Sequence, residues 1–382
     1  MGFWDQPQGA AIFKHAVLDR YAPIFASKTG KFSPGGRVEI LDGYAGRGWY
    51  EDGSPGSPVR MIGTAQKLAG RRRIRCWFVE ENRRNYDALV SGLADHGVSS
   101  DRAVPLFGTM AEHLHAVLEA AQGIPLFAFI DPFGIGLPFD LLTGALMRRP
   151  LVTSGVPPTE VLINFVHAGI YRNAGQLDAV TNDRRQLQAA ERKIADLDSN
   201  LGGRWWRDHW LEKGHTDEFV DAVRTEYIQR VLDVAGPEWG CFGVPVSDTQ
   251  RGSPIYDLLL FTRHPHGTWF FNNAVSLARQ VFQTHCEEGA GILQPPLWEP
   301  GDEWISIIRA NLSRLLASGA PVRVIDRVGD VYGSVLGVAR ESHVKAAASQ
   351  LIERRVARGD LECEPWRIVL EPTHAAAESD LA

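Results

Sequence analysis

The chain is poor in cysteine: Cys76, Cys241, Cys286 and Cys363 are the only four in 382 residues, and they lie far apart. No CxxC pair and no zinc-ligand spacing occurs, so neither a disulfide framework nor a metal or iron–sulfur centre is expected. Scattered thiols of this kind read as the reduced side chains of a cytoplasmic protein. No apolar run approaches the ~20 residues that span a bilayer. The opening MGFWDQPQG has no charged-then-apolar signal pattern, so a cytoplasmic location without membrane contact is expected. An excess of positive charge is also missing. Forty Lys and Arg against 46 Asp and Glu give a net charge of −6, so any contact with a nucleic acid must use local basic patches. Internal repeats and low-complexity segments are absent.

What is present is an alternation of strands and helices. Residues 10–28 place Ile12, Val17, Leu18, Tyr21, Ile24 and Phe25 at helical spacing. RVEILD follows as a short, β-branched, buried strand ending at Asp42, and then a glycine-dense loop. Four more strand-like runs follow: RIRCWFVE, RAVPLFG, PLFAFID and TEVLINFV. Between them lie helical segments, including FDLLTGALMRR. Five such rounds predict a doubly wound parallel sheet. Residues 170–238 break the rhythm with a mostly helical insertion, and GCFGVPVS and PIYDLLLFTRH then form a terminal hairpin. A hairpin closing a parallel sheet is the layout of a Rossmann-like class I methyltransferase. We therefore expect an α/β domain over 1–285, binding S-adenosylmethionine (SAM). A nicotinamide enzyme is disfavoured by that hairpin and by the lack of GxGxxG after the first strand. A linker is expected over 286–301, a winged helix-turn-helix-like domain over 302–372 and a disordered tail over 373–382.

In open α/β sheets ligands bind beyond the carboxyl ends of the strands, and the informative residues fall there. Asp42-Gly43-Tyr44-Ala45-Gly46-Arg47-Gly48 follows the first strand, and its glycines permit close backbone approach to a ligand. Asp42, Gly43, Gly46 and Gly48 are the candidates for the methionine end of SAM. Glu80 ends the second strand, where a carboxylate would accept hydrogen bonds from ribose hydroxyls. The third strand ends in Gly108-Thr109-Met110, without the Asp or Asn that often meets adenine, leaving Thr109 and Met110 to line that pocket. The fourth ends in Asp131-Pro132-Phe133-Gly134. Nucleobase amino-methyltransferases carry Asp/Asn-Pro-Pro-aromatic here. The acid accepts a hydrogen bond from the exocyclic amine and the aromatic stacks on the flipped base. Asp131, Pro132 and Phe133 keep part of that arrangement, with the second proline absent and the aromatic one place early. No catalytic metal is needed, because a sulfonium is already an activated electrophile.

With these motifs in view, the chain resembles the three-Cys-motif partner protein (TcmP) family. The resemblance rests on Lys14 in the N-terminal helix, the Asp-x-x-Ala-Gly-x-Gly loop, Gly56-Ser57-Pro58, Phe129-Ile130-Asp131-Pro132-Phe133-Gly134 and Ile163-Asn164-Phe165. It implies a partner, a radical-SAM-like protein that carries the three cysteines. A second resemblance is to an adenine N6-methyltransferase family acting on large-subunit ribosomal RNA, whose opening helix brings a lysine to the SAM site. By that analogy Lys14 approaches the SAM carboxylate. A nucleic acid is the expected substrate. The competing reading is a non-catalytic adaptor of the three-Cys protein or a DNA-binding protein.

Two further clusters mix cationic and other groups. Arg184, Arg185, Arg192 and Lys193, with Trp205, Trp206, Arg207 and Trp210, would suit phosphates and bases, or else form a solvated helix face over a tryptophan core. The helix over 342–358 carries His343, Lys345, Arg354, Arg355 and Arg358 and would be the recognition helix of a winged helix, or a protein-docking element.

Overall fold

The computed structural model describes residues 9–132, 134, 136–149, 158–178, 183–248, 253–289 and 301–373. Phe133, most of the expected linker and nearly all of the expected tail lie outside them. The chain divides into two compact units, between Arg263 and His264.

The first unit is built on seven strands: β1 (Arg37–Asp42), β2 (Arg73–Glu80), β3 (Ala103–Phe107), β4 (Leu126–Ile130), β5 (Thr159–Val166), β6 (Gly240–Val246) and β7 (Tyr256–Thr262). Their order in the sheet is β3-β2-β1-β4-β5-β7-β6. The first five run parallel, while β7 pairs antiparallel with both β5 and β6. A central parallel strand is covered on both faces and reads as a largely apolar run. All five residues of β4 are accordingly buried and apolar, and the antiparallel β7 is buried at all seven positions, with Asp257 and Thr262 among them. The order reverses between β1 and β4, which opens a crevice at their carboxyl ends.

The helices of this unit are α1 (Gly9–Gly30), α2 (Ser57–Lys67), α3 (Arg83–Asp95), α4 (Met110–Ala120), α5 (His167–Ala174), α6 (Arg184–Leu201), α7 (Trp206–Lys213) and α8 (Asp217–Ala235). Helix α1 runs down the sheet. Its Tyr21 hydroxyl donates to Glu160 at the start of β5, at 2.5 Å, while its first turns lie at the strand carboxyl ends. Asn82 caps α3 by accepting from two amides, and Thr109 with Glu112 forms a capping box on α4. The expected helix over FDLLTGALMRR is present but short, and its Leu141–Leu146 segment is π-helical, with the Met147 amide reaching the Leu142 carbonyl.

Helices α5 to α8 are inserted between β5 and β6, and their apolar side chains join the core on one face of the sheet, with Leu197, Trp206, Phe219 and Tyr227 in one cluster with Ala128, Val161 and Leu259. Trp206 is fully buried and donates to Asp198 at 3.0 Å; Trp210 is buried and donates to Asp178 at 3.0 Å. These rings hold the insertion together and do not present a base-stacking platform. Arg184, Arg185, Arg192 and Lys193 are exposed along α6, as a solvated face.

The second unit contains α9 (Pro265–Gly289), α10 (Gly301–Leu316), β8 (Val322–Arg323), α11 (Val328–Tyr332), α12 (Glu341–Glu353), β9 (Ala357–Arg358) and β10 (Val369–Pro372). The three short strands form an antiparallel sheet ordered β8-β10-β9. The expected boundary near 285 falls within α9, which belongs to this unit. Trp269 joins the core of Leu312, Tyr332, Val344 and Leu370. Asn272 donates to the Ala339 carbonyl at 2.9 Å and accepts from the Gly337 amide at 2.6 Å, and the Ser276 hydroxyl donates to Val338 at 2.6 Å. The apolar periodicity of 267–284 suits either unit; these polar contacts decide between them.

Candidate active site

At the crevice between β1 and β4 lies a cavity of about 340 Å³. One wall is α1, with Lys14 and His15. Another is the loop after β1, with Gly46, Gly48 and Tyr50. The floor is made by Asp131, Pro132, Asn164 and Tyr256.

The loop is shaped by its glycines. Gly46 and Gly48 have φ of 63° and 84°, in the left-handed region where a Cβ is disfavoured. The Gly56 amide donates to the Gly48 carbonyl at 2.8 Å, and a Cβ on Gly56 would come 2.8 Å from that same oxygen. The loop is thus pinched at its base, and Gly56 leads into α2 with Ser57 and Pro58 as its first residues.

Asp131 is reached from two sides. The Lys14 ammonium lies 2.5 Å from Oδ2, and Asn164 Nδ2 donates to Oδ1 at 2.6 Å. The Asp248 carboxylate accepts from the Ala10 amide at 3.2 Å, and the Tyr256 hydroxyl donates to the Ala10 carbonyl. These contacts hold the first turn of α1 over the cavity. Arg60 of α2 pairs with Asp19, joining α1 to the segment that follows the loop.

Three buried polar atoms around this crevice have no hydrogen-bond partner among the described residues: His15 Nδ1, Asp42 Oδ2 and Asn164 Oδ1. Burial, reinforced by the charges of Lys14 and Arg60, pushes the His15 imidazole well below its ordinary range, so the ring is neutral. Burial pushes the Asp42 carboxyl up to about 7. Ser57, the Tyr44 amide and Lys14 oppose that shift, and Asp131 adds to it. Asp42 Oδ1 accepts from the Tyr44 amide at 3.2 Å.

The remaining sequence candidates fall elsewhere. Glu80 is buried, and its carboxylate accepts from the Gly46 amide at 2.8 Å and the Asn82 amide at 2.7 Å. It braces the glycine loop from behind. Gly43 gives room to Met110: a Cβ there would collide with the Met110 sulfur, and Met110 lies in the hydrophobic core. The Thr109 hydroxyl and amide both bond to Glu112 in the capping box. Asp42, Gly43, Glu80, Thr109 and Met110 do not line the cavity, whereas Lys14, Gly46, Gly48, Asp131 and Pro132 do. Sequence reasoning missed His15 and Tyr256 and assigned no role to Asn164. The signal for Asn164 was available, as an amide inside the otherwise apolar run VLINFV. Among the described residues no group of three or more metal-ligating side chains converges.

This sheet, with five parallel strands and an antiparallel β7 inserted between β5 and β6, defines a Rossmann-like class I methyltransferase fold. No family model and no curated protein matches the chain. Among experimentally determined structures it is similar to an O-methyltransferase from Bacillus cereus in complex with S-adenosylhomocysteine (SAH). That match has 14% identity and a TM-score of 0.33, covering 65% of this chain and 80% of the other. A protein from Legionella pneumophila matches at 12% identity and TM-score 0.39, covering 73% and 92%. A geranyl diphosphate methyltransferase in complex with SAM matches at 12% and 0.29, covering 64% and 85%. The strand order itself, not these distant likenesses, defines the class.

Proposed function

We propose that the chain is a SAM-dependent methyltransferase whose acceptor is an exocyclic amino group of a nucleobase in a nucleic acid. The observation that carries this reading is the Asp131 carboxylate, placed at the topological switch point across the cavity from the Gly46–Gly48 loop.

The residues present fit the cofactor. Gly46 and Gly48 turn the loop along the cavity wall through left-handed backbone that a side chain disfavours, and Lys14, paired with Asp131, adds positive charge to the cavity that would suit a carboxylate. His15, which lines the cavity, has a buried Nδ1 without a partner among the described residues. When bound, SAM supplies a methyl group on a sulfonium, an electrophile that needs no further activation. Glu80 acts at one remove, by holding the Gly46 amide. Asp131 accepts a hydrogen bond from the acceptor amine, which keeps the nitrogen lone pair directed along the line of attack. Pro132, buried beside it, fixes the backbone there. Phe133 would stack on the base.

Tritium-labelled SAM, incubated with unmodified ribosomal RNA transcripts and with DNA, tests the reading. Label should enter a nucleic acid with wild type and fall at least about a hundredfold with Asp131→Ala. Label in neither polymer, from folded protein that binds SAM, would refute the nucleic-acid substrate.

A second reading is favoured by one observation in the C-terminal unit. Its helix–strand–helix–helix–strand–strand order supports a winged-helix reading. Over residues 301–373 its ten acidic and ten basic side chains balance, and the turn between β9 and β10 carries Asp360, Glu362 and Glu364. Such a surface suits a protein better than a phosphate backbone. In this reading the unit docks a radical-SAM-like three-Cys protein.

A further inference from the structure

The last ladder pair of β4 and β5 is Ile130 with Ile163, so the next positions, Asp131 and Asn164, stand side by side at the carboxyl edge. Asn164 is 5% exposed and lines the cavity. Its amide orientation is chemically fixed: a carboxylate only accepts, so the group 2.6 Å from Asp131 Oδ1 must be the Asn164 NH2. The Asn164 oxygen is therefore turned away from Asp131, and it is buried without a partner among the described residues. A buried acceptor left unpaired is costly, and a native protein keeps one where a ligand completes it. The Asn164 carbonyl thus stands one side chain from the Asp131 carboxylate as a second acceptor, buried and without a partner among the described residues.

We propose that Asn164 is a specificity-determining residue that, with Asp131, takes the two N–H groups of a primary amine and so limits the enzyme to one methylation. This rests on the methyltransferase reading above. In the transfer a nitrogen–carbon bond forms as the carbon–sulfur bond breaks. The sulfonium becomes a neutral thioether, and one amine proton leaves to water. The monomethyl product retains a single N–H, so its return leaves one of the two acceptors unpaired. A hydroxyl acceptor, with one proton, meets the same mismatch. A site built to pair a donor rejects the analogue lacking it far more strongly than an apolar pocket rejects an extra methyl.

The test uses the full chain saturated with SAH. Adenosine, cytidine and guanosine are titrated by ligand-observed NMR, each beside its N-monomethyl and N,N-dimethyl form. Wild type should bind one unmodified nucleoside at least about tenfold more tightly than its dimethyl form. Asn164→Leu, of similar volume but unable to accept, should lose most of that ratio when compared at SAH concentrations that saturate each protein. Asn164→Ala serves the same purpose if the leucine variant does not fold. An unchanged ratio in the variant overturns the proposal, as does wild type that binds SAH but none of the nucleosides. Failure of wild type to bind SAH sinks the cofactor reading instead, which separates the two failures.

Discussion

Lys14 and Asp131 lie 117 residues apart in the chain and meet at 2.5 Å, with only 12% and 16% of their side chains exposed. The contact joins the first helix to the end of the central strand. Removing one partner of a shielded pair leaves the other charge uncompensated. Lys14→Met and Asp131→Asn should each lower stability by about 1–3 kcal/mol, discounted for partial exposure. The double variant should lose less than the sum. Denaturant melts of the four proteins check this. Strict additivity would mean that the pair contributes no coupling.

Asp42 gives the cofactor site a pH dependence. Its carboxyl is pushed up to about 7 by burial, so near neutrality a substantial fraction carries a proton. Asp42 does not line the cavity and would act on a ligand there only through its charge: a cationic ligand in the cavity favours the ionised form, so binding should expel that proton. Affinity for SAM should then rise from pH 6 to pH 8. Calorimetry in buffers of different ionisation enthalpy should detect proton release, and Asp42→Asn should abolish both the release and the slope.

Glu160 sets a pH dependence of stability that is independent of any ligand. It sits under the Tyr21 and Thr262 hydroxyls, and burial pushes its carboxyl up to about 7 from an ordinary 4.5. A raised acid holds its proton in the folded state at pH values where the unfolded chain has released it. The stabilisation is therefore complete below about 4.5 and is lost as pH rises through about 7. The full swing is of the order of 3 kcal/mol for this group. Wild type should melt several degrees lower at pH 8 than at pH 5.5, and Glu160→Gln should flatten that difference. An identical pH profile in the variant would rule Glu160 out as its source.

Much of the sheet was legible in the sequence because a central parallel strand leaves a plain mark. Runs such as LFAFI and VLINFV can be buried on both faces and nowhere else. Asp131 was legible for the same reason, as the first polar residue after such a run. Glu80, Thr109 and Met110 were placed at the correct strand ends, but their partners could not be read from spacing. Glu80 turns to the Gly46 amide, Thr109 closes a capping box with Glu112, and Met110 fills the space that Gly43 leaves. Each depends on a local contact that a strand end alone does not specify. The tryptophans of RWWRDHW are compatible with either a core or a binding face, and the carboxylates of Asp178 and Asp198, which accept from Trp210 and Trp206, settle it.

Every role proposed for the site requires the cavity at the β1–β4 switch point to hold SAM. Isothermal calorimetry of SAM with wild type, Gly48→Val and Asp131→Ala decides whether it does. Gly48 has φ of 84°, so valine there both strains the loop and places a branched side chain beside Leu89. Wild type should bind at one site, Gly48→Val at least about tenfold more weakly, and Asp131→Ala nearly as wild type does. Folded wild type that gives neither heat nor a thermal shift with SAM would rule out a SAM site in this cavity.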